Sequence, residues 1–147
     1  MGRSSNYNVW DNVTYSTSEI KRGNDYTILT PDSDWERLDK IISDSNNFCM
    51  EFDVNYTISS STSSLIRFYD SNSSKVGYKL SSLGLQSEQW YHIKLERNGD
   101  TIIPTIDGVT LTNQAQTFTG PINKFSLITI VSETPNMKYK NFIFYYL

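Results

Sequence analysis

Short segments that alternate between apolar and polar residues recur along the chain, separated by stretches rich in Ser, Asn, Asp and Gly. These stretches follow one another at intervals of about ten residues, a spacing typical of a β-sandwich or a β-barrel. The clearest segment is 90–97, where the apolar residues Tyr91, Ile93 and Leu95 occupy every second position. Because successive side chains of a strand point to opposite faces, we predict that these three face a core and that the intervening polar residues face solvent.

Two turn signals follow this segment and predict a series of hairpins. The pair Asn98-Gly99 suits the positive φ of a tight turn, and Asp107-Gly108 marks a second turn. Pro104 lies between them and cannot donate a backbone hydrogen bond. We therefore predict a strand edge or a bulge at Pro104.

A second amphipathic segment covers residues 48–55, with acidic side chains predicted to point away from the core. Its inward set is Phe48, Met50, Phe52 and Val54. Further strands are predicted over 65–69, 75–80, 125–131 and 138–146, the last with Phe142 and Phe144 on one face, and weaker candidates are 9–15 and 25–29. The Ser-rich stretch 58–64 is predicted to be a loop, because strands continue on both sides of it.

One segment departs from the β pattern. Residues 33–36 read Ser-Asp-Trp-Glu, which matches a capping box. Apolar residues at helical spacing follow: Trp35, Leu38, Ile41 and Ile42. We predict a short helix near residues 34–43, with an irregular strand as the alternative. The predicted fold class is all-β, an antiparallel two-sheet sandwich with at most this one helix.

Size and charge limit the domain count and the partners. A chain of 147 residues has room for one hydrophobic core, so 5–147 is predicted to be a single domain, and 1–4 is compatible with a cloning remnant. The net charge of -3 offers no basic face, so nucleic acid is not an expected partner. Apolar runs such as 141–147 are far shorter than the ~20 residues of a membrane helix, and we expect no membrane insertion.

The chain is poor in the residues that build metal and redox centres. Cys49 is its one cysteine, which excludes an internal disulfide, a cysteine-based zinc cluster and a CxxC pair. His92 is its one histidine, which excludes His-rich metal sites and leaves few routes to a Ser-His-Asp triad. We therefore expect no cofactor that depends on these residue types.

Four motifs, in this order, resemble those of concanavalin A-like and laminin-G-like jelly rolls. They are 48–54 (FCMEFDV), 90–99 (WYHIKLERNG), 106–108 (IDG) and 139–145 (YKNFIFY). The resemblance covers about residues 48–147, whereas 5–47 matches only loosely. It implies a jelly-roll sandwich with one curved sheet, where sugars are often bound on the concave face or at its rim. In that superfamily the module occurs in glycosidases, in surface adhesins and in the tail or receptor-binding proteins of viruses.

The same resemblance allows a test for catalysis. Laminarinase-like glycosidases of the superfamily place Glu-x-Asp-x-Glu on one strand, and Glu51-Phe-Asp53 copies its first half. Asn55 stands where the second catalytic carboxylate would be. Glycoside hydrolysis by the usual route needs two carboxyl groups. We therefore predict that the protein is not an enzyme, and that Glu51 and Asp53 are solvated or paired with a neighbouring Lys or Arg.

Outward polar and aromatic residues are the candidates for sugar binding. They are Glu51, Arg67, Tyr69, Trp90, His92 and Lys94. Aromatic rings cover the apolar face of a pyranose while polar groups bond its hydroxyls. In 65–69, Arg67 and Tyr69 are predicted to point outward and to line one concave sheet together with the outward residues of 90–97. Alternatively, these residues form cross-strand pairs that merely stabilise a sheet.

Calcium is common in the superfamily, and two stretches offer oxygen ligands at alternate positions. These are 32–34 (DSD) and 70–72 (DSN). Neither has the closing Glu and internal Gly of an EF-hand, and turn formation by Asp and Asn explains both. We expect no metal site, with calcium as the less favoured alternative.

These observations lead to three functional hypotheses. The first is a noncatalytic carbohydrate-recognition or attachment module of a larger cell-surface or viral protein, which implies a glycan or cell-surface polysaccharide as partner and an extracellular location. The second is a structural or protein-docking sandwich without sugar binding, and the third is a glycoside hydrolase. The predicted strand edge near Pro104 leaves a homo-oligomer open.

Overall fold

The structure is a computed structural model that describes residues 12–14, 20–22, 27–29, 35–56, 63–130 and 137–147, with side chains described within 39–55, 65–128 and 138–147. These residues form the strands β1 (Asn12–Thr14), β2 (Ile20–Arg22), β3 (Thr27–Leu29), β4 (Trp35–Ser45), β5 (Asn47–Tyr56), β6 (Ser63–Tyr69), β7 (Lys75–Lys79), β8 (Tyr91–Asn98), β9 (Thr101–Ile106), β10 (Val109–Thr110), β11 (Gln116–Thr117), β12 (Ile122–Ile130) and β13 (Met137–Tyr146). Two short 3-10 helices, Leu80–Leu83 and Thr112–Gln114, interrupt them.

The strands form two antiparallel sheets. The five-stranded sheet has the order β1-β4-β12-β6-β7. The eight-stranded sheet has the order β10-β9-β8-β5-β13-β3-β2, and β11 pairs with β9 beside β10. The predicted all-β, two-sheet sandwich is confirmed.

The core lies between the sheets and is built by the alternation seen in the sequence. The predicted inward residues of β5 and β8 that are fully buried are Phe48, Met50, Phe52, Val54, Ile93 and Leu95. The five-stranded sheet contributes Ile66, Phe68, Phe125 and Leu127, all fully buried. The ring of Phe125 lies 6.1 Å from Phe68, 5.5 Å from Phe142 and 5.6 Å from Phe144, centroid to centroid. Aromatic side chains of both sheets therefore meet at Phe125.

The two predicted turns are present. Asp107 and Gly108 have φ angles of 49° and 82°, which is the conformation of a tight hairpin between β9 and β10. In the preceding hairpin Asn98 pairs with Thr101, so the turn consists of Gly99 and Asp100. This turn therefore lies one residue later than the Asn-Gly pair suggested.

Pro104 lies at a local edge of β9, as predicted. On the side away from β8, β10 pairs with residues 105–106 and β11 with residues 101–102. Pro104 falls between these two short ladders, where a missing N–H costs no strand pairing.

The helix predicted near residues 34–43 is wrong, because Trp35–Ser45 is strand β4. This strand pairs with β1 on one side and β12 on the other, and those two ladders outweigh the local helical preference. The register with β12 shifts between Ile122 and Lys124. Of the apolar residues predicted to share a helical face, Ile42 is buried whereas Ile41 is 55% exposed. The strand therefore separates two neighbours that the helix prediction placed together on one buried side.

Several other predictions concern segments of which the structure describes only some residues. β1 and β3 lie within the weaker candidates 9–15 and 25–29, whereas β2 was not predicted. Residues 1–4, 32–34 and 58–62 lie outside the described residues. The loop predicted over 58–64 is wrong at residues 63 and 64, which begin strand β6. Within the described part of the chain, no helix is both long enough and apolar enough to cross a membrane.

Candidate functional site

Polar and aromatic side chains meet on the outer face of β8, β5 and β13 in the eight-stranded sheet. The strand register sets His92 opposite Asp53, and Asp53 opposite Lys140. The next row sets Lys94 opposite Glu51, and Glu51 opposite Ile143. We call this surface the polar face and define it by Glu51, Asp53, Trp90, His92, Lys94, Lys140, Asn141 and Tyr145.

His92 lies between two carboxylates at the centre of the polar face. Its Nε2 is 2.7 Å from Oε1 of Glu51, and its Nδ1 is 2.7 Å from Oδ1 of Asp53. A carboxylate only accepts hydrogen bonds, and imidazolium is the one form of histidine with two N–H donors. Bonding to both ionised carboxylates therefore requires a doubly protonated ring.

The second oxygen of each carboxylate also accepts a hydrogen bond. The Tyr145 hydroxyl donates to Oε2 of Glu51 at 2.8 Å, and Nδ2 of Asn141 donates to Oδ2 of Asp53 at 2.7 Å. Asn141 has a φ of 57° and lies where the register of β13 with β5 shifts, between Lys140 and Ile143. This bulge brings the amide of Asn141 to Asp53.

The end of β8 is held in place by the turn after β9. The backbone N–H of His92 donates to Oδ1 of Asp107 at 2.7 Å, and the N–H of Asp107 donates to the His92 carbonyl at 2.9 Å. The backbone of His92 is held by these two bonds, and its ring is held by the bonds to Glu51 and Asp53.

The charges of this cluster are mutually stabilising. Burial acts to lower the pKa of His92, but the hydrogen bonds and negative charges of Asp53 and Glu51 outweigh it and raise that pKa above its ordinary 6.5. Burial acts to raise the pKa of Glu51, yet hydrogen bonds from His92 and Tyr145, with the positive charges of His92 and Lys94, bring it below its ordinary 4.5. At pH values between the lowered pKa of Glu51 and the raised pKa of His92, the two side chains carry opposite charges and form an ion pair.

Tyr145 is a neutral donor at one end of the polar face. It lies opposite Cys49 in the ladder, and Cys49 is fully buried. Hydrogen bonding to Cys49 and Glu51 raises the pKa of the Tyr145 hydroxyl, and burial raises the pKa of the Cys49 thiol. The hydroxyl therefore keeps its proton, while the Tyr145 residue remains 37% exposed.

Trp90 lies at the other end, just before β8, and is 39% exposed. The Nζ of Lys140 is 4.4 Å from the centroid of its ring, within the range of a cation-π interaction. Lys94 Nζ is 3.5 Å from Oε1 of Glu96. Four of the predicted site residues, Glu51, Trp90, His92 and Lys94, are thus brought to one face.

Arg67 and Tyr69 lie elsewhere, so the expectation that they share a sheet with His92 is wrong. They belong to β6, which pairs with β12 and β7 in the five-stranded sheet. Tyr69 is also 8% exposed, with Lys124 Nζ 4.6 Å from its ring centroid. The hairpin of β6 and β7 was predictable, but the sheet it would join was not. Sugar binding by Arg67 or Tyr69 stays a prediction.

Sequence reasoning missed Asp53, Lys140, Asn141 and Tyr145 as members of the site. The alternation in 138–146, with Phe142 and Phe144 inward, was the available signal that Tyr145 faces outward. The contact with Glu51 depends on the register between β13 and β5 and on the bulge at Asn141. Neither of these is visible in the local pattern.

The stretch 70–72 forms a turn, in agreement with the explanation based on turn formation. Oδ1 of Asp70 accepts the backbone N–H groups of Asn72 and Ser74, each at 2.9 Å. Within the residues that the structure describes, no group of three or more His, Cys, Asp or Glu side chains is arranged to hold a metal ion. Residues 32–34 lie outside that part of the chain.

A shallow depression adjoins the polar face at Lys94. It has a volume of about 200 Å³. Its lining residues are Lys94, Glu96, Asn98, Thr101, Ile103, Thr105 and Thr110. Hydroxyl, amide and charged groups therefore continue from His92 across β8 and β9.

Comparison with known proteins establishes the class of fold. A sialidase matches 99% of this chain and 18% of its own, with a TM-score of 0.75 and 12% sequence identity. The laminarinase catalytic domain from Thermotoga maritima matches 87% of this chain and 80% of its own, with a TM-score of 0.60 and 11% identity. The chain has the concanavalin A-like jelly-roll fold, as its motifs indicated.

A smaller protein has the same fold over nearly its whole length. The carbohydrate-binding module CBM66 from Bacillus subtilis matches 92% of this chain and 96% of its own, with a TM-score of 0.59 and 13% identity. No protein-family model and no curated protein sequence matches the chain. At these identities the similarity concerns the fold, and function has to be argued from the polar face.

Proposed function

We propose that the protein is a noncatalytic carbohydrate-recognition module and that its polar face binds the sugar. The observation that carries the proposal is the set of ordered hydrogen-bonding groups around His92, placed between the partly exposed rings of Trp90 and Tyr145. Aromatic rings suit the C–H face of a pyranose, and carboxylates and ammonium groups suit its hydroxyls. The polar face offers both kinds of contact.

The polar side chains around His92 are held in place before a ligand binds, which favours affinity. Glu51, Asp53 and His92 hold one another through hydrogen bonds before any ligand arrives. Side chains that are already ordered lose less conformational entropy on association, which leaves more of the contact energy for affinity. The similarity in fold to CBM66 and to a laminarinase is compatible with this use of the sandwich.

The state of the two carboxylates supports the noncatalytic part of the proposal. A general acid in glycoside hydrolysis must carry a proton, which enzymes achieve by raising the pKa of a carboxyl group. The pKa of Glu51 is lowered instead, which disfavours Glu51 as that acid, and both of its oxygens accept bonds from His92 and Tyr145. Asp53 is occupied in the same way by His92 and Asn141, and Asn55 brings no carboxylate to the face.

The proposed setting is extracellular, within a larger cell-surface or viral protein such as an adhesin or a tail protein. The matched sialidase supports a modular arrangement, because this chain corresponds to only 18% of its length. A glycan or cell-surface polysaccharide is the proposed partner.

The binding test compares one residue from each sheet. We expect the protein to bind at least one member of a panel of laminarin, cellulose, alginate and a sialylated oligosaccharide. Trp90→Ala should weaken that binding about fivefold or more, because truncating an aromatic anchor typically costs over ~1 kcal/mol. Arg67→Ala, on the five-stranded sheet, is the comparison: it should bind like the wild type if the polar face is the site, and weakly if the sugar-binding prediction for Arg67 holds. Isothermal titration or affinity electrophoresis provides the measurement.

Three outcomes would contradict the proposal. Loss of binding in Arg67→Ala with normal binding in Trp90→Ala would move the site to the other sheet. Hydrolysis of laminarin that disappears in Glu51→Gln would show a glycosidase. Absence of binding across the panel would contradict sugar recognition by this face.

Exposed apolar residues support protein docking as a second candidate function. Ile143 is 48% exposed and Leu147 is 56% exposed, both in the last seven residues of the chain. Docking predicts a stable oligomer in solution that Ile143→Ser disrupts, measured by light scattering. A monomer in the wild type would remove this candidate in its homo-oligomeric form.

A further inference from the structure

We propose that His92 is a proton-dependent latch, which holds Glu51 and Asp53 in their binding arrangement when its ring is doubly protonated and releases one of them when it is not. The inference rests on the proposed function, because it concerns regulation of the same polar face. It makes sugar affinity depend on pH near neutrality.

The geometry requires two donors on one ring. Both ring nitrogens of His92 lie 2.7 Å from a carboxylate oxygen. Neutral imidazole has one N–H and one lone pair, so it can bond only one of the two carboxylates. The other nitrogen would then present its lone pair to a negative oxygen at hydrogen-bond distance, which is repulsive. One side of the latch must open.

Loss of a hydrogen bond between His92 and either carboxylate would also affect the neighbouring groups that are proposed to contact a sugar. Glu51 also accepts from Tyr145, and Asp53 also accepts from Asn141 at the bulge in β13. A shift of either carboxylate therefore changes the support of an exposed ring or of the bulge. The anchored backbone of His92 gives the ring little freedom to follow both partners.

Other charged or titratable groups surround His92. They are Glu51 and Asp53 on β5, Lys94 on β8, Asp107 after β9, and Lys140 and Tyr145 on β13. Histidine is the residue type whose ordinary titration falls between pH 5 and 8. The surrounding carboxylates outweigh burial and raise the pKa of His92. The latch is therefore closed below that pKa and opens as the pH rises through it.

The first experiment follows the imidazole by NMR, which is simple because His92 is the one histidine of the chain. We expect its ring signals to titrate with a midpoint above 6.5. The midpoint should fall in Glu51→Gln and in Asp53→Asn, and it should be unchanged in Asp44→Asn on the other sheet. The backbone amide signals of Tyr145 and Asn141 should shift with the same midpoint. A wild-type midpoint at or below 6.5, or amide signals that do not follow it, would overturn the latch.

The second experiment measures affinity for whichever panel polysaccharide binds, from one pH unit below to one unit above the His92 midpoint. We expect affinity to fall by up to about fivefold across it, the size of one exposed ion pair. In His92→Gln the binding should be weaker and independent of pH. Constant affinity across the midpoint in the wild type would overturn the gating while leaving sugar recognition intact. If no panel member binds at any pH, the proposed function fails and the NMR titration alone decides whether the latch exists.

Discussion

The outer faces of the two sheets are built by the same alternation and differ in what becomes of the outward residues. On the eight-stranded sheet they form the polar face, where the His92 side chain is 44% exposed and that of Glu51 is 22% exposed. On the five-stranded sheet the outward residues form what we call the closed face: Leu65, Arg67, Tyr69, Ser126 and Ile128. All but Arg67 are buried. An outward position in a strand is therefore not always an exposed one.

The polar groups of the two faces are satisfied in different ways. On the closed face the Ser126 hydroxyl donates to Oδ1 of Asp39, and both residues are buried. On the polar face the carboxylates bond to side chains that also remain within reach of solvent. The closed face is thus suited to stability, whereas the polar face retains groups that a ligand can contact.

The largest effect on stability is expected from a substitution in the core that supports both faces. Phe125 is fully buried among aromatic rings of both sheets, so Phe125→Ala should lower the free energy of unfolding by about 3–5 kcal/mol. Urea unfolding followed by tryptophan fluorescence is the measurement. Val109→Ala, at a residue that is 62% exposed, is the control. A loss in Phe125→Ala as small as that of the control would mean that the sheets do not share this core.

Substitutions of polar residues on the two faces should have intermediate effects on stability, and these effects should differ between the faces. Ser126→Ala removes a donor from the buried Asp39 carboxylate, which should cost about 1–3 kcal/mol in unfolding free energy. Glu51→Gln, the matched change on the polar face, should cost less than ~1 kcal/mol because its ion pair is partly exposed. Equal losses of unfolding free energy in the same urea experiment would show that polar contacts stabilise the two faces to the same extent.

The smallest expected effect is the pH dependence of stability, and the polar face should be its source near neutrality. Because the folded pKa of His92 is raised, its contribution is complete below 6.5 and is lost as the pH rises through the folded value. Because the pKa of Glu51 is lowered, its contribution is present above 4.5 and is lost as the pH falls through the folded value. Stability should therefore decline on both sides, by at most about 1 kcal/mol on the alkaline side.

The urea midpoint measured against pH checks this expectation. His92→Gln should abolish the alkaline decline, whereas Ser126→Ala should keep it at a lower overall stability. A wild-type protein that becomes more stable as the pH rises through the His92 midpoint would contradict the ion pairs described for the polar face.

The sequence by itself determined the strands whose pattern is local. The inward residues of β5 and β8, the hairpin of β6 with β7 and the turn at Asp107 all follow from period-two alternation and turn chemistry, which act between near neighbours. The motifs of 48–147 also indicated the class of fold. The same reasoning was wrong for Trp35–Ser45, because pairing with β1 and β12 outweighs the local helical preference there.

Only the tertiary structure decided which strands lie side by side. His92 and Glu51 are 41 residues apart and Tyr145 and Glu51 are 94 apart, so their contacts depend on strand order and register. Arg67 and Tyr69 were excluded from the polar face for the same reason, since β6 joined the other sheet. Alternation fixes the side of a strand on which a residue lies, whereas its neighbours on that side are chosen by pairing energies spread over the whole sandwich.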